Sequence, residues 1–169
     1  MPEPEPASLS VSEPRAPEDR FILLETGASR PTRVPLPPAM TVKAGTGDTE
    51  GRFSLLEVVV AQAVPRHVHH VADEAVYVLD GELAVEFDDR VRTVTAGGFV
   101  LLPYGVPHAL RPASTPPPRV LQISSPGGWE CLLEDLIENR REISRQGRLD
   151  PAALNRLAAK HQVTYEEQA

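Results

Sequence analysis

The chain has one cysteine, Cys131, in 169 residues, so no disulfide can form within it. That usage suits a reducing compartment. Basic residues are scarce: 17 Lys and Arg stand against 24 Asp and Glu, a formal net charge of −7. Phosphate binding needs a basic face, so nucleic acid is excluded as the expected partner. No apolar run is long enough to cross a bilayer. The opening MPEPEP lacks the basic-then-apolar order of a secretory signal. The expectation is a cytoplasmic protein with no membrane partner. Aromatics make up only 5%, against 18 prolines, which suits a loop-rich β protein better than a helical bundle. No internal repeat is visible, and the length allows one core with an appendage.

What is present is a series of short apolar stretches separated by turn residues. Residues 1–19 are rich in Pro, Glu and Ser, bury little, and are expected to form a disordered tail. Phe21-Ile22-Leu23-Leu24 reads as a first strand, and the four prolines between Arg30 and Pro38 mark a linker or edge segment. Met40–Ala44 reads as a strand, and the run from Arg52 to Ala63 as the longest one. Glu57 interrupts one face of that run, either as a solvated carboxylate or, less in keeping with its setting, lining a pocket. Leu83–Phe87 and Val91–Val94 alternate around an Asp88-Asp89 turn and predict a half-buried meander. Phe99–Leu102, His108–Arg111 and Arg119–Ile123 complete eight to ten strands, the last ending the β region. Regular spacing of that kind marks an antiparallel sandwich or barrel over residues 20–125.

The pattern changes at Ser125-Pro126-Gly127-Gly128. Apolar residues at Trp129, Leu132, Leu133, Leu136, Ile137 and Ile143 follow a helical period, which Gly147 ends or weakens. Asp150-Pro151 starts a second helix, with an oxygen at the N-cap and proline at the first position. Residues 126–169 are thus expected to be a C-terminal helical extension packed on the barrel's outside or on a partner subunit. His161 is expected on a helix surface near its C-terminus.

The chemistry concentrates in Arg66–Glu82. His67 and His69 are two apart, so on a strand both imidazoles face one way. His70 has the opposite parity and should face outward, as should Tyr77 relative to Glu74. Residues 70–73 read as a turn, with Asp73 in it, and Asp80-Gly81 as another, so that a hairpin brings Glu74 beside the two histidines. Two neutral imidazoles and a carboxylate with open positions left over can hold a redox-active divalent metal. A fourth donor, His108, follows a Pro103-x-Gly105 turn that fixes where it enters the next strand.

These two segments resemble the two cupin motifs. His67, His69, Glu74 and Gly81 fall at the spacing of the first, and Gly97, Pro103, Gly105 and His108 at that of the second. Ala61-Gln62-Ala63, Gly98 and Pro112 stand where the motifs often carry glycine, an acid and asparagine. The resemblance implies an all-β fold, an antiparallel double-stranded β-helix or cupin jelly-roll barrel. It implies one divalent transition metal, held by His67, His69, Glu74 and His108. The step through Pro126-Gly127-Gly128-Trp129-Glu130 into a helix resembles the extension of quercetin dioxygenase-like single-domain cupins. That likeness implies an oxygenase acting on an aromatic enol or phenol, with Glu74 as base and ligand and Val76, Val78, Leu102 and Leu110 lining an apolar interior. A non-redox cyclase or isomerase on the same site, and a binding module without turnover, remain open. The partner expected is an aromatic or apolar small molecule, and the assembly expected is a homodimer.

Overall fold

A computed structural model describes residues 16–166. The expected disordered tail lies outside those residues up to position 15, and its last part is not tail-like, since Pro17–Arg20 form a 3-10 turn. The strands are β1 (Met40–Ala44), β2 (Ser54–Val59), β3 (Val64–His69), β4 (Asp73–Asp80), β5 (Glu82–Phe87) and β6 (Arg90–Thr95). Then come β7 (Phe99–Leu102), β8 (His108–Pro112), β9 (Arg119–Ser125), the short pair β10 (Ser144–Arg145) and β11 (Arg148–Leu149), and β12 (Val163–Tyr165). Two helices, α1 (Trp129–Glu138) and α2 (Pro151–Ala158), separate β9 from β12. One five-stranded antiparallel sheet has the order β1-β2-β9-β4-β7, and the second has β12-β3-β8-β5-β6. Their inner faces share one core in which Leu56, Val76, Val78, Leu83, Val85 and Val120 are buried. The fold is an all-β barrel of two facing antiparallel sheets, the class that the cupin resemblance implies.

The expected first strand at 21–24 is absent. Phe21 and Leu23 are 80% and 77% exposed, and the segment pairs with no strand. An apolar run alone does not make a strand; it needs an edge to pair with. The expected hairpin at 67–79 is also corrected. β3 and β4 lie in different sheets, so residues 70–72 carry the chain across the barrel rather than back along the same sheet. The same holds at Gly81, between β4 and β5. A glycine is needed there: its φ is +75°, and a Cβ would lie 2.7 Å from Ser114 Oγ and 2.9 Å from the Pro118 Cα. A two-residue hairpin does form at β5–β6, where Asp88 and Asp89 both take positive φ (47° and 55°), the twist that such turns require. β6 is not half-buried as expected, because it is a sheet edge with most of its side chains in solvent.

The C-terminal region departs most from expectation. α1 stops at Glu138, so Ile143 is buried outside it. α2 starts as expected, Asp150 Oδ1 accepting from the Ala153 amide at 3.0 Å. β9 is not the last strand of the barrel: β12 returns to pair with β3, Tyr165 opposite His67 and Val163 opposite His69. Residues 126–166 are therefore not a separate extension on the outside. Trp129, Leu132, Leu154, Leu157, Ala158, Val163 and Tyr165 join the barrel's own core and close one end of it. The linker at 30–38 is pinned to this closure, since Arg33 pairs with Glu134, Asp135 and Glu138 of α1. No helix among the described residues is long and apolar enough to cross a membrane.

Candidate metal centre

Register puts the four donors together. His67 on β3 lies directly opposite His108 on β8. Glu74 on β4 enters from the facing sheet, where it lies opposite Ser124 of β9 and Leu102 of β7. All four side chains are buried, and one donor atom from each lies within 4.8 Å of the others. Glu74 Oε2 is 3.0 Å from His108 Nε2, 3.2 Å from His69 Nε2 and 3.9 Å from His67 Nε2. His67 Nε2 and His69 Nε2 are 3.1 Å apart. Adjacent octahedral donors at bond lengths of about 2.1 Å sit about 3.0 Å apart, so this spacing fits one transition-metal ion. Four protein donors leave two octahedral positions for a ligand.

The backbone sets the tautomers. His67 Nδ1 is 2.7 Å from the Pro65 carbonyl and His108 Nδ1 is 3.0 Å from the Val106 carbonyl. Each carbonyl takes the Nδ1–H, which leaves the Nε2 lone pair aimed at the cluster. The Pro103-x-Gly105 turn is tied to the first motif. Gly105 N donates to the His69 carbonyl at 2.7 Å, and Tyr104 N donates to Asp73 Oδ1 at 3.0 Å. Asp73 is thus the first residue of β4 and an anchor for the second loop, not a turn residue. Gly98 fits its place because a Cβ there would fall 2.6 Å from Val94 Cγ1 and 2.8 Å from the Thr95 carbonyl.

Electrostatics follow the geometry. Burial alone would raise the proton affinity of Glu74. The close approach of the His108 and His69 rings and the fields of His108 and His67 outweigh it and hold the carboxyl well below the usual carboxylate range. His67 moves to about 4, chiefly because burial disfavours its charged form. A neutral His67 beside an ionised Glu74 matches the protonation states that a metal requires of such ligands.

Several neighbours had little sequence signal. Gln122 Nε2 donates to Glu74 Oε1 at 2.6 Å, which commits the second carboxylate oxygen and fixes the first toward the histidines. A lone amide on the inward parity of β9, between Val120 and Ser124, was the available clue. Trp129, the first residue of α1, stacks on His67 with ring centres 5.7 Å apart and tilts against His69 at 5.1 Å. Tyr165 packs on His67 at 5.4 Å, its hydroxyl pushed up to about 12 by burial and then by the charge of Glu74. His161 is not a helix-surface residue. It sits in a 3-10 turn with Nε2 2.7 Å from Asp135 Oδ2. His70 does face outward, against Thr164 Oγ1 at 2.8 Å. Tyr77 is exposed, and Glu57 is a surface partner of Arg119 and Lys43 rather than a pocket residue. Val76, Val78, Leu102 and Leu110 face inward, but as packed core. Beside the cluster lies a cavity of about 30 Å³, lined by His69, Trp129, Leu132, His161 and Val163 among others.

Fold and donor set define a small β-barrel protein with a buried three-histidine, one-carboxylate cluster that could hold a metal ion. Residues 54–124 match the family model described as Cupin domain. Among solved structures the chain is similar to a cupin-2 domain containing protein from Shewanella frigidimarina, at 27% identity over 44% of this chain and 71% of that one, TM-score 0.40. KdgF from Halomonas sp. aligns at 22% identity over 55% and 85%, TM-score 0.45. A predicted oxalate decarboxylase from Thermotoga maritima aligns at 17% over 51% and 77%, TM-score 0.46. No curated protein matches the sequence.

Proposed function

We propose that this protein is a metal-dependent enzyme acting on a small molecule through an enol or phenol hydroxyl, with dioxygen as the co-substrate. The observation that carries the reading is the four-donor cluster with its tautomers preset and one side open to a cavity. His67, His69, Glu74 and His108 would hold the ion. It would supply Lewis acidity that acidifies a nearby hydroxyl and, for a redox-active metal, electron transfer. The chain's own residues supply the rest. Glu74 is ionised, and Gln122 keeps its Oε2 turned to the centre, where it can accept the substrate hydroxyl proton. Trp129 and Leu132 exclude bulk water from that transfer.

A cavity of about 30 Å³ is far below the several hundred Å³ of pockets that enclose a ring-bearing ligand. The substrate therefore presents only its hydroxyl-bearing end to the centre, and any ring stays outside Trp129 and His161. The same donor set accepts non-redox ions, which favours a Lewis-acid isomerase or cyclase as the second reading. Oxygen uptake by metal-loaded protein over a panel of enols and polyphenols separates the two. Glu74→Gln should keep part of its metal and lose turnover by about a hundredfold, the scale of a lost general base. Equal ligand binding by both proteins, with conversion by neither, would leave a binding module.

The reading includes a cytoplasmic homodimer. Tyr77, Phe99, Leu101 and Tyr104 lie exposed on and beside β7, an edge strand whose far side is unpaired. A second copy covering that edge would bury the largest exposed apolar row. Light scattering that returns the 18.4 kDa monomer mass at micromolar concentration would count against it.

A further inference from the structure

His161 is the one titratable side chain that lines the cavity from outside the four-donor cluster. It enters from the 3-10 turn Ala159–His161, between α2 and β12. His69, a donor of the cluster, lines the same space. At about 30 Å³, a ligand resting against the free side of the centre also rests against His161. The imidazole is aimed. Its Nε2 lies 2.7 Å from Asp135 Oδ2, and the other oxygen of Asp135 accepts from Arg33 at 2.6 Å. Nδ1 has no hydrogen-bond partner among the described residues. A carboxylate that takes the proton of one ring nitrogen leaves the other with its lone pair and steadies the imidazolium when that lone pair is protonated.

We infer that His161, oriented by Asp135, is a second working group of this cavity, exchanging a proton with the outer atom of whatever ligand occupies the centre's open side. The inference rests on the metal-centre reading above. Deep in the barrel, Glu74 has one oxygen bonded to Gln122 and the other facing three imidazoles. At the mouth, His161 has a free nitrogen. The step balances: a ligand O–H bond breaks, an Nδ1–H bond forms, and Asp135 stays ionised between imidazolium and Arg33. Asp135 is a positioning residue. The charged groups tied to His161 are Asp135 on α1, Arg33 on the linker, which also pairs with Glu134 and Glu138, and Lys160, its neighbour in the turn. His69 lines the same cavity.

The alternative is that His161–Asp135 merely latches the turn to α1. Cobalt-loaded protein with azide as the probe distinguishes them, because the visible spectrum reports azide at the centre without any substrate. His161→Gln replaces the ring by an amide that can still bond Asp135. It should retain stoichiometric cobalt and lose about tenfold in azide affinity, the lower end of outer-shell effects at metal sites. It should also lose one transition from the pH profile of azide binding. Asp135→Asn should shift that transition while keeping it. Azide affinity and pH profile within twofold of wild type in a cobalt-loaded His161→Gln protein would overturn the inference and leave the metal centre standing. If His161→Gln does not fold, an unmoved pH transition in Asp135→Asn overturns it instead. Failure of the wild type to take up cobalt would overturn both.

Discussion

The two ends of the barrel interior are built from the same strands and differ in kind. On β4, Glu74 faces inward at one end, and Val76 and Val78 face inward beyond it. On β9, Ser124 and Gln122 give way to Val120, and on β8, His108 gives way to Leu110. Within a few residues a fully paired polar cluster becomes a dry aliphatic core. Burial is complete at both ends, so burial does not distinguish them. Partners do: Glu74 and the three imidazoles at one end each have a nitrogen or oxygen facing them, and the other end has none to offer.

The largest test of that contrast is Val76→Asp. It moves a carboxylate two residues along the same strand face, from three imidazoles and an amide into side chains that cannot pair with it. An uncompensated buried charge costs about 3–5 kcal/mol or more, so folded protein should be lost, as far-UV dichroism and solubility would register. Leu56→Ala, at the apolar end, should cost about 2–5 kcal/mol in denaturant melts yet leave metal stoichiometry unchanged. His69→Ala should do the reverse, lowering metal content by well over about tenfold while the barrel still folds on its aliphatic core. His70→Ala, on the outer parity of the same strand, should leave metal content as it was.

Acid should find the polar end first. His67 has a folded-state value of about 4, below its unfolded one near 6.5, so the unfolded chain binds more protons between them. Metal-free protein should therefore lose stability as pH falls from about 6.5 to about 4. Glu74, depressed as a carboxylate, contributes stability that is present above its unfolded value near 4.3 and is lost as pH falls below it. Thermal melts of metal-free protein against pH should show the two stages in that order, and Leu56→Ala should shift the curve without changing its shape. A milder loss is expected of Gln122→Leu. It removes the amide that holds Glu74 Oε1 and should lower metal affinity by about tenfold, with little change in fold.

The sequence showed the donors more readily than the path between them. His67, His69, Glu74 and His108 were legible because strand parity fixes which side chains share a face, and parity is the same in a hairpin and in a crossover between sheets. For that reason the sheet membership of β3 and β4 was not legible: residues 70–72 carry no sign of which way the chain turns. β12 escaped because three residues after a helix show no period. Trp129 read as one apolar position on a helix, and only its place at the first turn puts it on the imidazoles. Phe21–Leu24 misled in the other direction, apolar in sequence but without a strand to join.

The pairing of β12 with β3 has a consequence for how the centre is assembled in time. Synthesis delivers all four donors by His108, while the strand that borders His67 and His69 comes much later; His70 and its contact Thr164 are 94 positions apart. A growing chain can thus present the complete donor set while Trp129 and Tyr165 are not yet made. Loading and sealing become separate events, with an ion entering through an edge that later closes. Protein refolded with metal present should load quickly, and protein stripped after folding should reload at the slower rate at which that edge reopens.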